Sequence, residues 1–279
     1  MTQQDQTTGA VPRSQGMPML GLGTWQNDDP DQCADSVRTA LDVGYRHIDT
    51  AQAYGNEDAV GDGIEAADVG REDVFLATKV WISNLAYDDV LSTVEESLDD
   101  LGVESVDLLY VHWPSNTYDP ESTLAAFDEL YDDGAIDRIG VSNFEPHHVE
   151  TAMDHLDAPL FANQVETHPF LQQDELRAHA DEHGYELVAY SPLARGEVFG
   201  HEVLADIADA HDASEAQVSL AWLREKGVTA IPKATGREHI TDNFGSQELA
   251  LTDAEIERID GIDRHDRRID PDFGPAAWD

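Results

Sequence analysis

The sequence predicts a single-domain α/β chain folded as a (β/α)8 TIM barrel, on three observations. Short apolar runs recur eight times along the 279 residues. Amphipathic segments long enough for crossover helices separate most of them, and polar residues fall at the ends of several runs rather than inside them. Strands that alternate with helices argue for a parallel sheet, and eight repeats in this length argue for closure. The competitor is an open doubly wound sheet, but no strand runs into a G-x-G-x-x-G turn, and Gly21-Leu22-Gly23 lacks the third glycine. No linker interrupts the pattern. Residues 16–262 therefore read as the barrel domain, residues 1–15 as a polar N-terminal tail, and residues 263–279 as a C-terminal tail expected to cover the barrel mouth.

Taken in order, Met17 to Trp25 reads as an extended segment whose strand ends near Thr24-Trp25. Between Asp31 and Val43, Ala34, Val37, Ala40 and Leu41 recur at helical spacing, and Tyr45 to Thr50 then reads as a second strand. Apolar runs at 74–78, 106–111, 136–141, 161–165, 187–190 and 228–231 supply the remaining strands. Amphipathic stretches at 88–101, 121–131, 146–155, 172–183 and 214–226 supply helices. Past the last strand, 237–244 and 253–260 read as short helices, and the tail beyond carries Phe273 and Trp278.

Composition narrows the function. Asp and Glu number 58 against 16 Lys and Arg, a formal net charge of −42 spread along the whole chain. With 41% hydrophobic residues, that balance reads as a densely charged surface on a folded protein, which excludes nucleic acid as a partner. It also predicts a halophilic protein that works at high salt, where screening relieves the repulsion between carboxylates. The single Cys33 allows no internal disulfide and suits a cytoplasmic protein. No run approaches the ~20 apolar residues of a membrane span, and Met1 to Gln15 has no apolar signal core.

The polar strand ends carry the chemistry. Asp49 closes the second strand, Lys79 the third and His112 the fourth, with Tyr54 in the loop beyond Asp49, so all four converge on one face of the barrel. Of only three lysines, Lys79 and Lys233 end strands and Lys226 sits on a helix. An ammonium beside a phenol favours phenolate, so Lys79 is expected to draw the Tyr54 pKa down from about 10 and make it a general acid, with Asp49 holding the lysine. His112, followed by Trp113-Pro114, is placed to donate a hydrogen bond to a carbonyl oxygen held by Tyr54.

The string Gly-Tyr-Arg-His-Ile-Asp-Thr-Ala at 44–51, Ala-Thr-Lys at 77–79 and His-Trp-Pro at 112–114 resemble the aldo-keto reductase superfamily over nearly the whole chain. The resemblance implies a nicotinamide-dependent reductase of aldehydes or small ketones, with Asp49, Tyr54, Lys79 and His112 as its catalytic tetrad. It implies that Ser142, Asn143 and Gln164 hold the carboxamide, that Tyr190 stacks on the ring, and that Gly23 and Thr24 join the cofactor contacts. Ser191, Pro192 and Leu193 resemble the pyrophosphate strap. Lys233, Ala234, Thr235, Arg237, His239 and Asn243 resemble the adenosine-phosphate site, with Lys233 meeting the 2′-phosphate.

That last segment departs from the common pattern, with Ala234 where a Ser is usual and His239 where an Arg usually pairs with phosphate. The resemblance still implies NADP(H) as the preferred cofactor, with nearby Arg237 partly replacing the lost fork, and the departures leave NAD(H) as a second one. Trp25, Trp81 and Trp113 would wall the substrate pocket together with Tyr54 and His112. The short loop after His112 and the short tail are similar to bacterial diketogluconate reductase-like members, whose pocket is open, and the family expectation is a monomer.

Two other functions fit a barrel with strand-end lysines. One is a Schiff-base lyase or aldolase using Lys79 as nucleophile; the other is a non-catalytic nicotinamide-binding sensor. The remaining motifs read as plain structure. His179 and His183 lie one helical turn apart, but no Glu follows His179, so they read as a solvated face and no metal is expected. Ser191 lacks a G-x-S-x-G elbow, and His147-His148 opens a helix with no cysteine or carboxylate cluster nearby in sequence.

Overall fold

In the computed structural model, which describes residues 11–275, an antiparallel ribbon of β1 (Arg13–Ser14) and β2 (Met17–Pro18) leads into eight parallel strands. These are β3 (Leu22–Gly23), β4 (His47–Asp49), β5 (Phe75–Val80) and β6 (Leu108–Val111), then β7 (Ile139–Ser142), β8 (Leu160–Glu166), β9 (Glu186–Tyr190) and β10 (Thr229–Ala230). Each pairs with its neighbour in chain order. Parallel bridges Leu20 to Ala230 and Gly23 to Lys233 close the sheet on itself, backed by Gly21 N donating to Ala230 O at 2.9 Å. At this seam a Cβ on residue 23 would stand 2.8 Å from the Ile231 carbonyl oxygen, so only glycine lets the two strands meet. The closed (β/α)8 barrel is therefore as the strand pattern predicts.

The helices form where local signals agree. In α1 (Pro30–Val43) the Asp29 carboxylate caps the Gln32 amide, Pro30 opens the first turn, and Gly44 at φ +128° ends the helix. The helix buries Cys33, Val37, Ala40 and Leu41 in the large core cluster outside the strand cylinder. The same Asp-Pro opening starts α4 (Pro120–Asp132), and a Ser214-Gln217 capping box starts α8 (Glu215–Glu225). α3 (Tyr87–Leu101), α5 (Pro146–His155) and α6 (Asp174–His183) fill the other expected places, and α9 (Arg237–Gly245) and α10 (Asp253–Asp260) follow the last strand.

Two helices were not legible from the sequence pattern. The segment of α2 (Glu57–Glu65) contains two glycines and four acids in nine residues, which blurs its apolar stripe of Ala59, Val60 and Ile64. The second, α7 (Glu202–Ala210), sits inside the long β9 to β10 crossover, behind a loop rich in turn residues.

The core has two layers. Inside the barrel, Phe75, Ala77, Leu108, Tyr110, Ala162 and Val188 pack together with Met17, so the ribbon plugs one end. Between strands and helices lies the larger layer, which includes the fully buried Phe127, Phe144 and Trp222. Beyond α10 the chain returns across the other end, where the Phe273 ring meets Trp81 at 5.7 Å and Trp113 at 5.4 Å. Trp278 lies outside the described residues. Among those described, no helix is long and apolar enough to cross a membrane.

Candidate active site

Because the eight strands β3 to β10 run the same way, the residues that close them gather at one rim. Asp49 ends β4, Lys79 lies near the end of β5, His112 follows β6, and Ser142 ends β7. Gln164 is in β8, Tyr190 ends β9, and Lys233 follows β10. Tyr54 comes from the short 3-10 turn Gln52–Tyr54, which Gly55 ends in the left-handed conformation (φ 61°). All of these except the fully buried Lys79 border a cavity of about 630 Å³, together with Gly23, Thr24 and Ser191, a size suited to a small-molecule site.

Asp49 of the cavity lining forms a buried ion pair with Lys79. Lys79 is fully buried, and its three N–H groups have three acceptors: Asp49 Oδ1 at 2.5 Å, the Thr50 carbonyl at 2.8 Å and the Tyr54 hydroxyl oxygen at 3.5 Å. Its lone pair is thereby committed to the proton, which argues against the lysine as a Schiff-base nucleophile. Gln164 Nε2 donates to the other Asp49 oxygen at 2.7 Å, so the carboxylate is satisfied on both sides. From there the polar chain continues. Ser142 Oγ donates to the Gln164 carbonyl (2.8 Å), the Asn143 amide donates to the His112 carbonyl and to Ser142 Oγ (3.0 Å each), and the Tyr190 hydroxyl donates to Asn143 Oδ1 (2.8 Å).

Burial sets the protonation states. Burial and then the negative charge of Asp49 hold Tyr54 well above the ordinary phenol value. The downward pull expected from Lys79 at the same barrel face is therefore not found. The carboxylate touching the ammonium cancels much of its field at the phenol, and desolvation outweighs the rest. The hydroxyl keeps its proton, as a donor requires. Burial, opposed by Asp49, lowers the Lys79 ammonium. His112 is held well below the usual imidazole value by burial and then by Lys79, so it is neutral. Its ring stands edge-on to Tyr54 at 5.8 Å and to Trp81 at 5.1 Å.

All three tryptophans picked from the sequence border the cavity, and so do Ile269, Pro271 and Phe273 of the tail. The rest of the expected cofactor set stands apart from this wall. Pro192 accepts from Ser219 Oγ through its carbonyl, and Leu193 packs on the outer core. Ala234 and Asn243 are buried, Thr235 is half-buried, and Arg237 and His239 are exposed on the first turn of α9.

Three features lay outside the sequence prediction. Glu57, at the start of α2, is buried and accepts from Thr78 Oγ1 (2.5 Å) and Ser97 Oγ (3.1 Å), next to the tetrad strand. Glu166 ends β8 fully buried, pairs with His168 Nε2 at 3.0 Å, and accepts the backbone amides of Arg268 (2.8 Å) and Ile269 (2.8 Å). It thus ties the tail to the barrel. The signal was available, since Glu166 closes an apolar strand just as Asp49 does. Finally, in the loop after β9 Ser191, Ala194 and Arg195 take positive φ, and the Arg195 guanidinium lies 4.9 Å from the Trp25 ring centre.

A cavity at the carboxyl face of a closed barrel, bordered by a protonated phenol and by an aromatic ring beside amides, has the makeup of a small-molecule site with an acid at hand. The comparison with known proteins makes the class specific. The profile of the aldo/keto reductase family matches residues 19–264, and the chain belongs to that family. It is 42% identical over 267 residues to a 9,11-endoperoxide prostaglandin H2 reductase of Trypanosoma cruzi, covering 94% of each chain. It is 39% identical over 256 residues to a glyoxal reductase of Bacillus subtilis, covering 91% of this chain and 92% of that one.

Among solved structures, a protein provisionally named 2,5-diketo-D-gluconic acid reductase B superposes with a TM-score of 0.91 at 35% identity, covering 95% of this chain and 94% of that one. A Bombyx mori aldo-keto reductase in complex with NADP superposes with a TM-score of 0.87 at 30% identity, covering 94% and 96%. Family membership makes the protein an NAD(P)H-dependent oxidoreductase of carbonyl chemistry.

Proposed function

We propose that the protein reduces aldehydes and small ketones, dicarbonyls and keto-sugars among them, to alcohols, with NADPH preferred, NADH as a second cofactor, and Tyr54 as the general acid. The observation that carries this reading is the Tyr54 hydroxyl, protonated and 3.5 Å from the Lys79 ammonium, on the wall of the cavity. The Bacillus subtilis relative named a glyoxal reductase supports the substrate class.

The donor set fits a nicotinamide dinucleotide. Ser142, Asn143 and Gln164 place amide and hydroxyl groups beside the ring of Tyr190, and Lys233 places a cation on the same wall. Under this reading Tyr190, held by Asn143, offers one flat face for stacking. Ser191 to Leu193 would follow the pyrophosphate, with Gly23 and Thr24 on the same side of the cavity. Lys233 would meet the 2′-phosphate, with Ala234, Thr235, Arg237, His239 and Asn243 around the adenosine; with His239 where the usual arginine fork would stand, discrimination against NADH is weaker. The bound cofactor supplies the hydride.

The chain's own groups do the rest. Neutral His112 and the Tyr54 hydroxyl orient the carbonyl oxygen, and Tyr54 gives it a proton as negative charge develops there. The resulting phenolate is stabilised by Lys79, whose own charge Asp49 holds in place. Trp25, Trp81 and Trp113 exclude water around the carbonyl. The protein acts as a monomer in a reducing cytoplasm, in keeping with its one buried thiol.

Replacing Tyr54 by Phe tests the assignment. Removing a general acid costs roughly 10²- to 10⁴-fold in kcat, while NADPH affinity, followed by quenching of tryptophan fluorescence, stays within about twofold of the parent protein. Undiminished turnover by Tyr54→Phe would overturn the role of Tyr54.

A further inference from the structure

Outside the strand cylinder, the two histidines of α6 that sequence alone reads as a solvated face gain a carboxylate from the neighbouring helix. We propose that Glu150, His179 and His183 form a binding site for one divalent transition-metal ion of the Zn²⁺ class, linking α5 to α6.

The geometry carries the assignment. His179 and His183, four residues apart near the end of α6, stack with ring centres 4.1 Å apart and 25° between planes. Glu150 of α5 brings a carboxylate oxygen to 3.7 Å from His179 Nε2. One ligand atom from each residue lies within 4.8 Å of the other two. A tetrahedral ion with ligands at ~2.0–2.2 Å needs donor atoms about 3.3–3.6 Å apart. The remaining closure is a swivel of side chains, and two of the three, Glu150 and His183, are exposed and free to make it.

A second observation points to a ligand independently of the clustering. His179 Nε2 is buried and has no hydrogen-bond partner, an arrangement that ordinarily costs stability. Its other nitrogen, Nδ1, lies 3.0 Å from the Tyr185 hydroxyl. With Nδ1–H donated to Tyr185, the lone pair is left on Nε2, and the hydroxyl takes the orienting part that metal-bound imidazoles usually obtain from a second partner. Two imidazoles and one carboxylate make a zinc site with an open fourth position for water. Nitrogen ligands favour Zn²⁺, Cu²⁺ or Ni²⁺ over the oxygen-seeking Mg²⁺ and Ca²⁺. That preference separates this site from the many surface carboxylates of so acidic a chain.

The test is a titration of the whole protein with Zn²⁺ against a chromogenic chelator, in molar KCl with excess MgCl₂ to occupy non-specific carboxylates. The expected result is one tight equivalent for the parent protein. Glu150→Gln and His183→Ala, both at exposed positions, should bind at least about tenfold more weakly, in keeping with the loss of one ligand from three. Co²⁺ should give the visible absorption of tetrahedral coordination with the parent protein and lose it with His183→Ala. Carbonyl reduction should proceed at the parent rate in both variants, since neither residue belongs to the cavity. A parent protein without a tight equivalent, or variants that bind Zn²⁺ as the parent does, would overturn the site.

Discussion

Lys79 is a charge taken completely out of water, and it survives there because Asp49 touches it on one side while a carbonyl and a phenol take its other protons. Removing one member of a buried pair leaves the other uncompensated, at a cost of about 3–5 kcal/mol. Asp49→Asn should therefore lower both stability and kcat, the first read from urea denaturation and the second from NADPH consumption. Substituting an exposed acid such as Asp31 should change neither. Histidine protonation gives a further prediction. Burial depresses His47 and His112 in the folded protein, so below the ordinary imidazole pKa of about 6.5 the unfolded chain binds protons that the folded chain refuses. The unfolded state then holds more protons, and stability must fall as pH drops through that window. A melting temperature lower at about pH 5.8 than at about pH 7.5, in a fixed salt concentration, is the expected outcome. At this scale the gathering of Asp49, Lys79 and His112 on one rim was legible because each stands at or just past a strand end, where a polar residue contrasts with an apolar run, and Tyr54 followed from the loop after Asp49. Glu57, sheltered by hydroxyls from two other elements, gave no such contrast.

The strands and most helices could be read from apolar spacing and caps, as Asp29-Pro30 and Ser214-Gln217 show. What could not be read were contacts between elements distant in sequence, because periodicity reports a segment's own faces and not its neighbours. Glu150 and His179 meet across two helices, and Glu166 meets amides of a tail whose own sequence has no regular pattern. The Glu166 latch makes a testable claim about the tail. It fixes the segment that brings Ile269, Pro271 and Phe273 to the cavity wall. Hydrogen bonds to a charged acceptor are worth about 1.5–3 kcal/mol each. If Glu166→Gln forfeits about 1.4 kcal/mol of that order, KM for the carbonyl should rise about tenfold with kcat little changed. Steady-state kinetics would show the split, and loss of Phe273 from beside Trp81 and Trp113 should alter tryptophan emission. Equal falls in kcat and kcat/KM would instead place Glu166 in the chemical step.

Across the whole molecule, a formal charge of −42 confronts one compact fold. The barrel was legible because its repeat is global, and the charge because it is a sum; neither depends on knowing which atoms meet. At ~0.1 M salt the screening length is about 10 Å, and it shrinks to about 3 Å at 1 M. Melting temperature should rise by several degrees between those conditions, and a fall would show that self-repulsion does not limit stability. The three lysines lead to a practical consequence of the same scarcity. Lys79 is sealed in the barrel and Lys226 is ion-paired with Asp260, while Lys233 is exposed at the cavity wall. Amine-reactive reagents, whether dyes, crosslinkers or activated resins, therefore find hardly any lysine other than the one assigned to the cofactor. Immobilising this protein through its lysines would anchor it by its own mouth, and carboxylate-directed coupling is the gentler route.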